Sequence, residues 1–174
     1  MTNFFTGDEH YGDKGIIHYC NRGYSSPESM NKDIIHRNNS VVKPGDTVYH
    51  LGDLTFNNDL NLIRDILKQL YGTHILILGN HDRIHPFELV EAGFQSVHTA
   101  LTLNIQGFTI ILAHDPSIWT VVPQGTIFIC GHIHCLFKSI PDKLVYNAGV
   151  DVNNLYPVSF EQILRELNLK EIKK

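Results

Sequence analysis

Residues 73–82 read THILILGNHD, an apolar run from Ile75 to Leu78 that stops at a glycine and three polar side chains. A short apolar run ended this way reads as a buried strand that delivers a loop to the edge of a sheet. The same pattern recurs on both sides of it. Asn3–Thr6 runs into Gly7-Asp8, Thr47–Leu51 into Gly52-Asp53, Phe108–Ala113 into His114, and Thr126–Cys130 into Gly131. Strand ends are where open α/β sheets place their ligands.

Helical patterns lie between these runs. Ser26-Pro27-Glu28 supplies an N-cap, a proline at the first helical position and an early acid, and predicts a helix to about Val42. Its stripe would be Met30, Ile34 and Val41, and Lys43-Pro44-Gly45-Asp46 ends it. Asn57 or Asn58 would cap a second helix with Leu60, Ile63, Leu67 and Leu70 on one face, and Pro86–Ala92 reads as a third. The Gly-rich stretch after Asp8 reads as irregular. Leu101, Leu103 and Ile105 alternate with polar partners before a Gln106-Gly107 turn, which predicts a hairpin with Phe108–Ala113. Lys138–Ile140 and Leu144–Tyr146 flank a Pro-Asp-Lys turn, and Ser159 with Gln162 forms a capping box for a last helix burying Phe160, Ile163, Leu164 and Leu167. Strands alternate with helices early and follow one another late, so an α/β or α+β layered fold is expected. Residues 1–174 read as one domain with no insertion large enough for a separate cap.

The chain of 174 residues is 43% hydrophobic and 18% charged, the composition of a globular protein with a real core. A net charge of -4 argues against a broad electrostatic grip on nucleic acid, without excluding a nuclease whose metals supply local positive charge. Three cysteines do not make a complete disulfide framework, and a reducing compartment is the simpler reading. MTNFFTGDEH lacks the features of a signal peptide, and no apolar run approaches the ~20 residues that span a bilayer. A cytoplasmic protein with no membrane partner is expected.

The polar groups at the strand ends are of one chemical kind. Asp8, His10, Asp53, Asn80, His81, Asp82, His114, His132 and His134 offer the oxygens and imidazoles that divalent transition metals take. Each has an ordinary reading: Asp53 as a turn cap, residues 79–82 as a plain loop, His132 and His134 as a structural pair, His114 as a satisfied buried histidine. Asp8 and His10, like His132 and His134, are two apart, and on an extended strand end both would project to the same side. Gly52 and Gly131 would let backbone approach closely. Five separate strand ends carrying such groups favour a metal site over the ordinary readings taken together. Cys130, His132, His134 and Cys135 are too crowded for paired structural-zinc spacing. His50 is near enough to Asp53 to support it. Arg22 and Arg83 would clamp a phosphate or pair locally, and Tyr19, Tyr24 and Trp119 would stack on a base or pack. Lys170–Lys174 reads as a solvated tail.

The series D-x-H at 8–10, G-D at 52–53, G-N-H-D at 79–82, His114 and G-H-x-H at 131–134 resembles the calcineurin-like metallophosphoesterase family. YCNR at 19–22 and GVDVNN at 149–154 are similar to a small bacterial and phage subgroup of it. The resemblance implies a four-layer sandwich of two mixed β-sheets flanked by α-helices. It also implies two divalent ions, Mn²⁺ foremost, with Fe²⁺, Ni²⁺, Co²⁺ or Zn²⁺ as alternatives. One would take Asp8, His10 and His134, the other Asn80, His114 and His132, with Asp53 bridging both. A bridging hydroxide would attack a phosphodiester or phosphomonoester, His81 would protonate the leaving oxygen, and Asp82 would hold the His81 ring. A small phosphoester or nucleotide is the implied substrate, with an oligonucleotide as the alternative. A scaffold that binds protein through this face would be marked by loss of His81 or a ligand, and neither is lost. Access would be open, shaped by residues 11–28 and the loop after His114.

Overall fold

The computed structural model describes residues 1–170; the Trp119 side chain and the end of the tail lie outside the described residues. β1 (Asn3–Thr6) leads to α1 (Lys14–Tyr19) and α2 (Pro27–Val41), β2 (Thr47–His50) to α3 (Leu60–Leu67), and β3 (Thr73–Ile77) to α4 (Pro86–Ala92) and β4 (Ser96–His98). The hairpin β5 (Ala100–Ile105) and β6 (Phe108–Ala113) comes next. It is followed by β7 (Ile127–Cys130), β8 (Ser139–Ile140), β9 (Val145–Asn147), β10 (Val158–Ser159) and α5 (Phe160–Glu166). Two five-stranded sheets result, in the orders β10-β1-β2-β3-β4 and β5-β6-β7-β9-β8. Both are mixed. β1 to β4 run parallel with β10 antiparallel at the edge, and parallel β6, β7 and β9 are flanked by antiparallel β5 and β8.

Period-two alternation assigns the faces. Phe5, Tyr49, Leu51 and Ile77 from the first sheet meet Ile110, Leu112, Ile127, Ile129 and Tyr146 from the second, and Phe160, Ile163 and Leu164 of α5 join this layer. The opposite face of the first sheet is covered by α1 to α4 through Ile16, Ile17, Met30, Ile34, Ile63, Ile66, Leu67 and Leu89. Phe128, Cys130 and Val145, on the outer face of the second sheet, are covered by Val122, Phe137 and Ile140 from irregular chain. The expected sandwich is present, with its α-helical cover concentrated on one side. Among the described residues, no helix is long and apolar enough to cross a membrane.

Local chemistry sets the element ends. Ser26 and Ser29 cap α2 reciprocally. Its inward stripe is Met30, Ile34 and Asn38, and the burial expected of Val41 falls instead to Val42 beyond the helix end. Asp59, not Asn57 or Asn58, caps α3 by accepting from the amides of Asn61 and Leu62. The stretch expected to be irregular contains α1, capped by Asp13 and anchored by buried Ile16 and Ile17.

The strands end together. Gly7 bridges to Gly149, and the Val150 amide donates to the Gly7 carbonyl at 3.0 Å, so the two sheets are joined at the edge where β1 and β9 end.

Candidate metal centre

The loops after β1, β2, β3, β6 and β7 bring the expected ligands to this common edge in two clusters. Donor atoms of Asp8, His10 and His134 lie within 4.8 Å of one another, as do those of Asp53, His114 and His132. Asn80 belongs with the second, its Oδ1 being 3.0 Å from His114 Nε2 and 2.9 Å from His132 Nδ1. Asp53 stands between them, with Oδ2 3.8 Å from His10 Nε2 and 3.4 Å from His114 Nε2.

The backbone that presents these groups is not extended. Asp8 (φ 56°), His10 (φ 52°), Asp53 (φ 56°), His132 (φ 73°) and His134 (φ 45°) are all left-handed. This corrects the expectation that residues two apart face one way along a strand end. The chain curls back at each ligand, a conformation that costs non-glycine residues energy and persists where the surroundings enforce it. The enforcement is visible. The Asp8 amide donates to the Gly52 carbonyl at 2.9 Å, the His10 amide to the Asp53 carbonyl at 3.1 Å, and the His132 amide to Asp8 Oδ1 at 2.9 Å. Beneath the first loop, Arg22 donates to the carbonyls of Asp8 and Glu9, both at 2.7 Å, and grips Asp151 with Nε at 2.8 Å and Nη2 at 2.9 Å. Glycine is required by close approach: a Cβ on Gly149 would stand 2.8 Å from Asp8 Oδ2, and one on Gly52 only 2.6 Å from His114 Nδ1.

The tautomers suit metal. His114 Nδ1 lies 2.6 Å from the Leu51 carbonyl, and His134 Nδ1 lies 2.9 Å from Asp151 Oδ2. Each Nδ1–H donates outward, which turns Nε2 towards the cluster. Burial disfavours charge on His114, but its bond to Asp53 and the charges of Asp53 and Asp8 outweigh this and lift its pKa to about 9. Burial pushes the Asp8 carboxyl up to about 7 against the opposing pull of His114 and His134. Burial also holds His10 down to about 4. Asp151 shows the reverse balance: burial raises it, yet the bonds and charges of His134 and Arg22 bring it to about 2.

Asp8 Oδ2 and both ring nitrogens of His10 are buried without a hydrogen-bond partner. Each such atom costs about 1–3 kcal/mol. Unpartnered carboxylate oxygen and imidazole nitrogen, gathered against a second carboxylate and further imidazoles, are donors that a divalent cation satisfies. The residues fit metal ions.

Several expected roles change. The Asp82 carboxylate does not reach the His81 ring. It accepts the amides of Asp53 (2.8 Å), Gly79 (2.9 Å) and Leu54 (3.2 Å), stapling the second ligand loop to the third. The His81 amide donates to Asp53 Oδ1 at 2.9 Å, and its ring packs on Phe56 with centroids 4.9 Å apart. Arg22 is locally paired: its side chain is 1% exposed and its guanidinium is taken up by Asp151 and two carbonyls, so no donor faces a substrate. Arg83 is exposed and does not line the cleft. His50 supports Glu9 rather than Asp53, in a buried line from Glu9 Oε1 (2.7 Å) through His50 to His74 (3.0 Å). Cys130 is buried in β7, and the cysteine beside His134 and Asp151 is Cys20. The cleft of about 610 Å³ is walled by Asp13, Gly15, Ile16, Tyr19 and Phe56, and the loop after His114 does not line it.

Sequence reasoning passed over Asp151, Asn147 and Asn153. Asn147 donates to the carbonyls of His134 and Phe137, both at 2.9 Å, and so fixes the loop that carries His134. Asn153 in turn holds the carbonyls of Asn147 (3.0 Å) and Gly149 (2.9 Å). The signal for Asp151 and Asn153 was the GVDVNN phrase at 149–154, and that for Asn147 was the likeness of Asn147-Ala148-Gly149 to a strand and turn of the resembled family; neither carried a role.

No family model matches the chain. It is 34% identical over 170 residues to an uncharacterised protein of Methanocaldococcus jannaschii, covering 93% of this chain and 89% of that one. It is 30% identical over 163 residues to the gene 66 protein of Mycobacterium phage L5, covering 77% and 78%. A protein of unknown function from Aquifex aeolicus has the same fold, with a TM-score of 0.75, 25% identity, and 95% and 98% of the two chains covered. An archaeal phosphodiesterase superposes with a TM-score of 0.53 at 20% identity, over 86% and 84% of the chains, so the fold is one that a phosphodiesterase also has.

Proposed function

The chain belongs to the family of the M. jannaschii protein and the phage gene 66 protein, and we propose that it is a metal-dependent phosphoesterase working through two divalent cations. The observation that carries this reading is the pair of buried atoms without a hydrogen-bond partner, Asp8 Oδ2 and His10 Nε2, the latter 3.8 Å from Asp53 Oδ2, while His10 Nδ1 faces Asp13 Oδ2 at 3.3 Å.

Asp8, His10 and His134 would hold one ion, Asn80, His114 and His132 the other, and Asp53 would reach both. Mn²⁺ is the first choice to try. When bound, the ions make water acidic enough to act as a nucleophile near neutral pH and offset charge on the phosphoryl oxygens. The chain's own residues supply the rest. Leu51 and Asp151 fix His114 and His134 with Nε2 inward. Asp82 holds the Gly79 turn against the Asp53 loop, which sets where His81 stands. His81 is 30% exposed at the cleft, with Nε2 4.0 Å from Asp53 Oδ2, placed to give a proton to a departing alkoxide. The chain works as one domain without a cap, and the cleft stays open to a small phosphoester or nucleotide.

The test is hydrolysis by metal-reconstituted protein of matched monoester, diester, cyclic-nucleotide and oligonucleotide substrates. The expected result is turnover of at least one class, abolished by chelation and restored by metal. No turnover with any of Mn²⁺, Fe²⁺, Co²⁺, Ni²⁺ or Zn²⁺ overturns the reading.

A further inference from the structure

We propose that the cleft takes a phosphodiester whose two organic arms each carry a flat ring, one against Phe56 and the other against Tyr19. The inference rests on the phosphoesterase reading and narrows its substrate.

Phe56 and Tyr19 stand at opposite ends of a row of imidazoles. The Phe56 ring is 4.9 Å from that of His81 and 6.4 Å from that of His10. His10 lies 5.3 Å from His134, and His134 lies 5.9 Å from Tyr19. Both end rings line the cleft, yet Phe56 is 47% exposed and Tyr19 is 80% exposed. Core packing does not account for a tyrosine that open. An exposed aromatic beside convergent polar groups is what a ligand covers. With a phosphoryl group at the imidazoles and carboxylates, one arm extends past His81 to Phe56 and the other past His134 to Tyr19. A monoester has a single arm and leaves one ring bare.

Charge points the same way. Among the described residues no lysine or arginine lines the cleft, and Asp13 and Asp53 do. The phosphate of a diester carries one negative charge where that of a monoester carries up to two, so a diester asks less of a cleft without cationic side chains. Because His81 is the proton donor of the proposed reaction, the arm beside Phe56 is the one that leaves, and the arm beside Tyr19 is retained. Nucleosides are the arms that fit, since every base offers a π-face to an aromatic side chain.

The experiment compares thymidine 5′-(p-nitrophenyl phosphate) with methyl p-nitrophenyl phosphate, which release the same p-nitrophenolate, and with the monoester p-nitrophenyl phosphate. In the Mn²⁺-loaded protein, kcat/KM should favour the thymidine diester over the methyl diester by roughly tenfold, the size of one stacked base. Tyr19→Ala should bring that ratio close to one, and Tyr19→Phe should keep it. Phe56→Ala should lower kcat/KM for both diesters by about the same factor, as they share the leaving arm. Equal wild-type values for the two diesters, a ratio indifferent to Tyr19→Ala, or a monoester turned over faster than either diester overturns the proposal while leaving the phosphoesterase reading in place. Failure to cleave all three with any of Mn²⁺, Fe²⁺, Co²⁺, Ni²⁺ or Zn²⁺ overturns this proposal, and the phosphoesterase reading falls with it when the cyclic-nucleotide and oligonucleotide substrates fail as well.

Discussion

The two halves of the metal face use similar donors in different surroundings. In the half made by Asp8, His10 and His134, the first two residues are buried, and Asp8 Oδ2 and His10 Nε2 have no hydrogen-bond partner among the described residues. In the half made by Asn80, His114 and His132, Asn80 and His132 are exposed, and the donors satisfy one another, His132 Nδ1 lying 3.1 Å from His114 Nε2. Behind the first half stand Asp151 and Arg22; behind the second, the Leu51 carbonyl holds His114. On the two-ion reading proposed above, the buried half would gain most from an ion. The donors of the open half already bond to one another, so an ion there should bind more weakly and exchange more readily.

Arg22→Met should have the largest effect, because it leaves the buried, charged Asp151 with His134 in place of a two-point guanidinium grip. A loss of about 3–5 kcal/mol in urea unfolding is expected, whereas His132→Ala in the open half should stay within about 0.5 kcal/mol. Similar losses in the two variants would erase the contrast. Asp53→Asn, at the junction of the halves, should lower kcat roughly 10²–10³-fold and bring bound metal down from two ions towards one. Retained activity with two ions still bound would mean that the halves do not share this carboxylate. Asp151→Asn should weaken the tighter of two Mn²⁺ sites by about 10–100-fold in calorimetric titration and leave the weaker one alone. A change in the weaker site instead would reverse the assignment of strong and weak.

A further expected effect is one of pH. Burial first, and then the neighbouring His50, hold His74 down to about 3 against an ordinary value of 6.5. A histidine with a depressed pKa contributes stability that is present above 6.5 and is lost as pH falls from there towards 3, because the unfolded chain takes up the proton first. The loss approaches ~1.4 kcal/mol per pH unit. Since His74 supports the Glu9 loop through His50, this acid sensitivity belongs to the buried half. His74→Phe should flatten the acid limb of a stability–pH curve by one proton, and an unchanged slope would remove His74 as the cause.

What could be read from the sequence was what depends on neighbours in the chain. The bounds of β1, α2 and α4 and the caps at Ser26 and Ser159 follow from residues a few positions apart. α1 was hidden because Gly12 precedes it, Gly15 lies within it and it has only six residues, too few to show a period. β4 is three half-buried residues at a sheet edge, equally short of pattern. In the site, residue types and order were legible; their partners were not. Asp82 was assigned to the neighbouring His81 ring, but the three amides it accepts belong to Asp53, Leu54 and Gly79. Arg22 finds Asp151 across 129 positions, and no local signal announces such a pair. The left-handed ligands could not be foreseen for the same reason. Their conformation is imposed by bonds between loops, such as the one from His132 to Asp8.

That last bond has a consequence for how the protein is made. Asp8 emerges from the ribosome early, but its loop is secured by Gly52, Arg22 and His132, and His134 waits for Asp151. Contacts so far apart in sequence form late in folding. A nascent chain ending before β7 carries Asp8, His10, Asp53, Asn80 and His114 but not His134 and His132, which complete the two clusters. Any metal selection at this site would thereby be deferred until nearly the whole sheet pair exists, and an ion met earlier by the growing chain would find only a partial and unbraced set of donors.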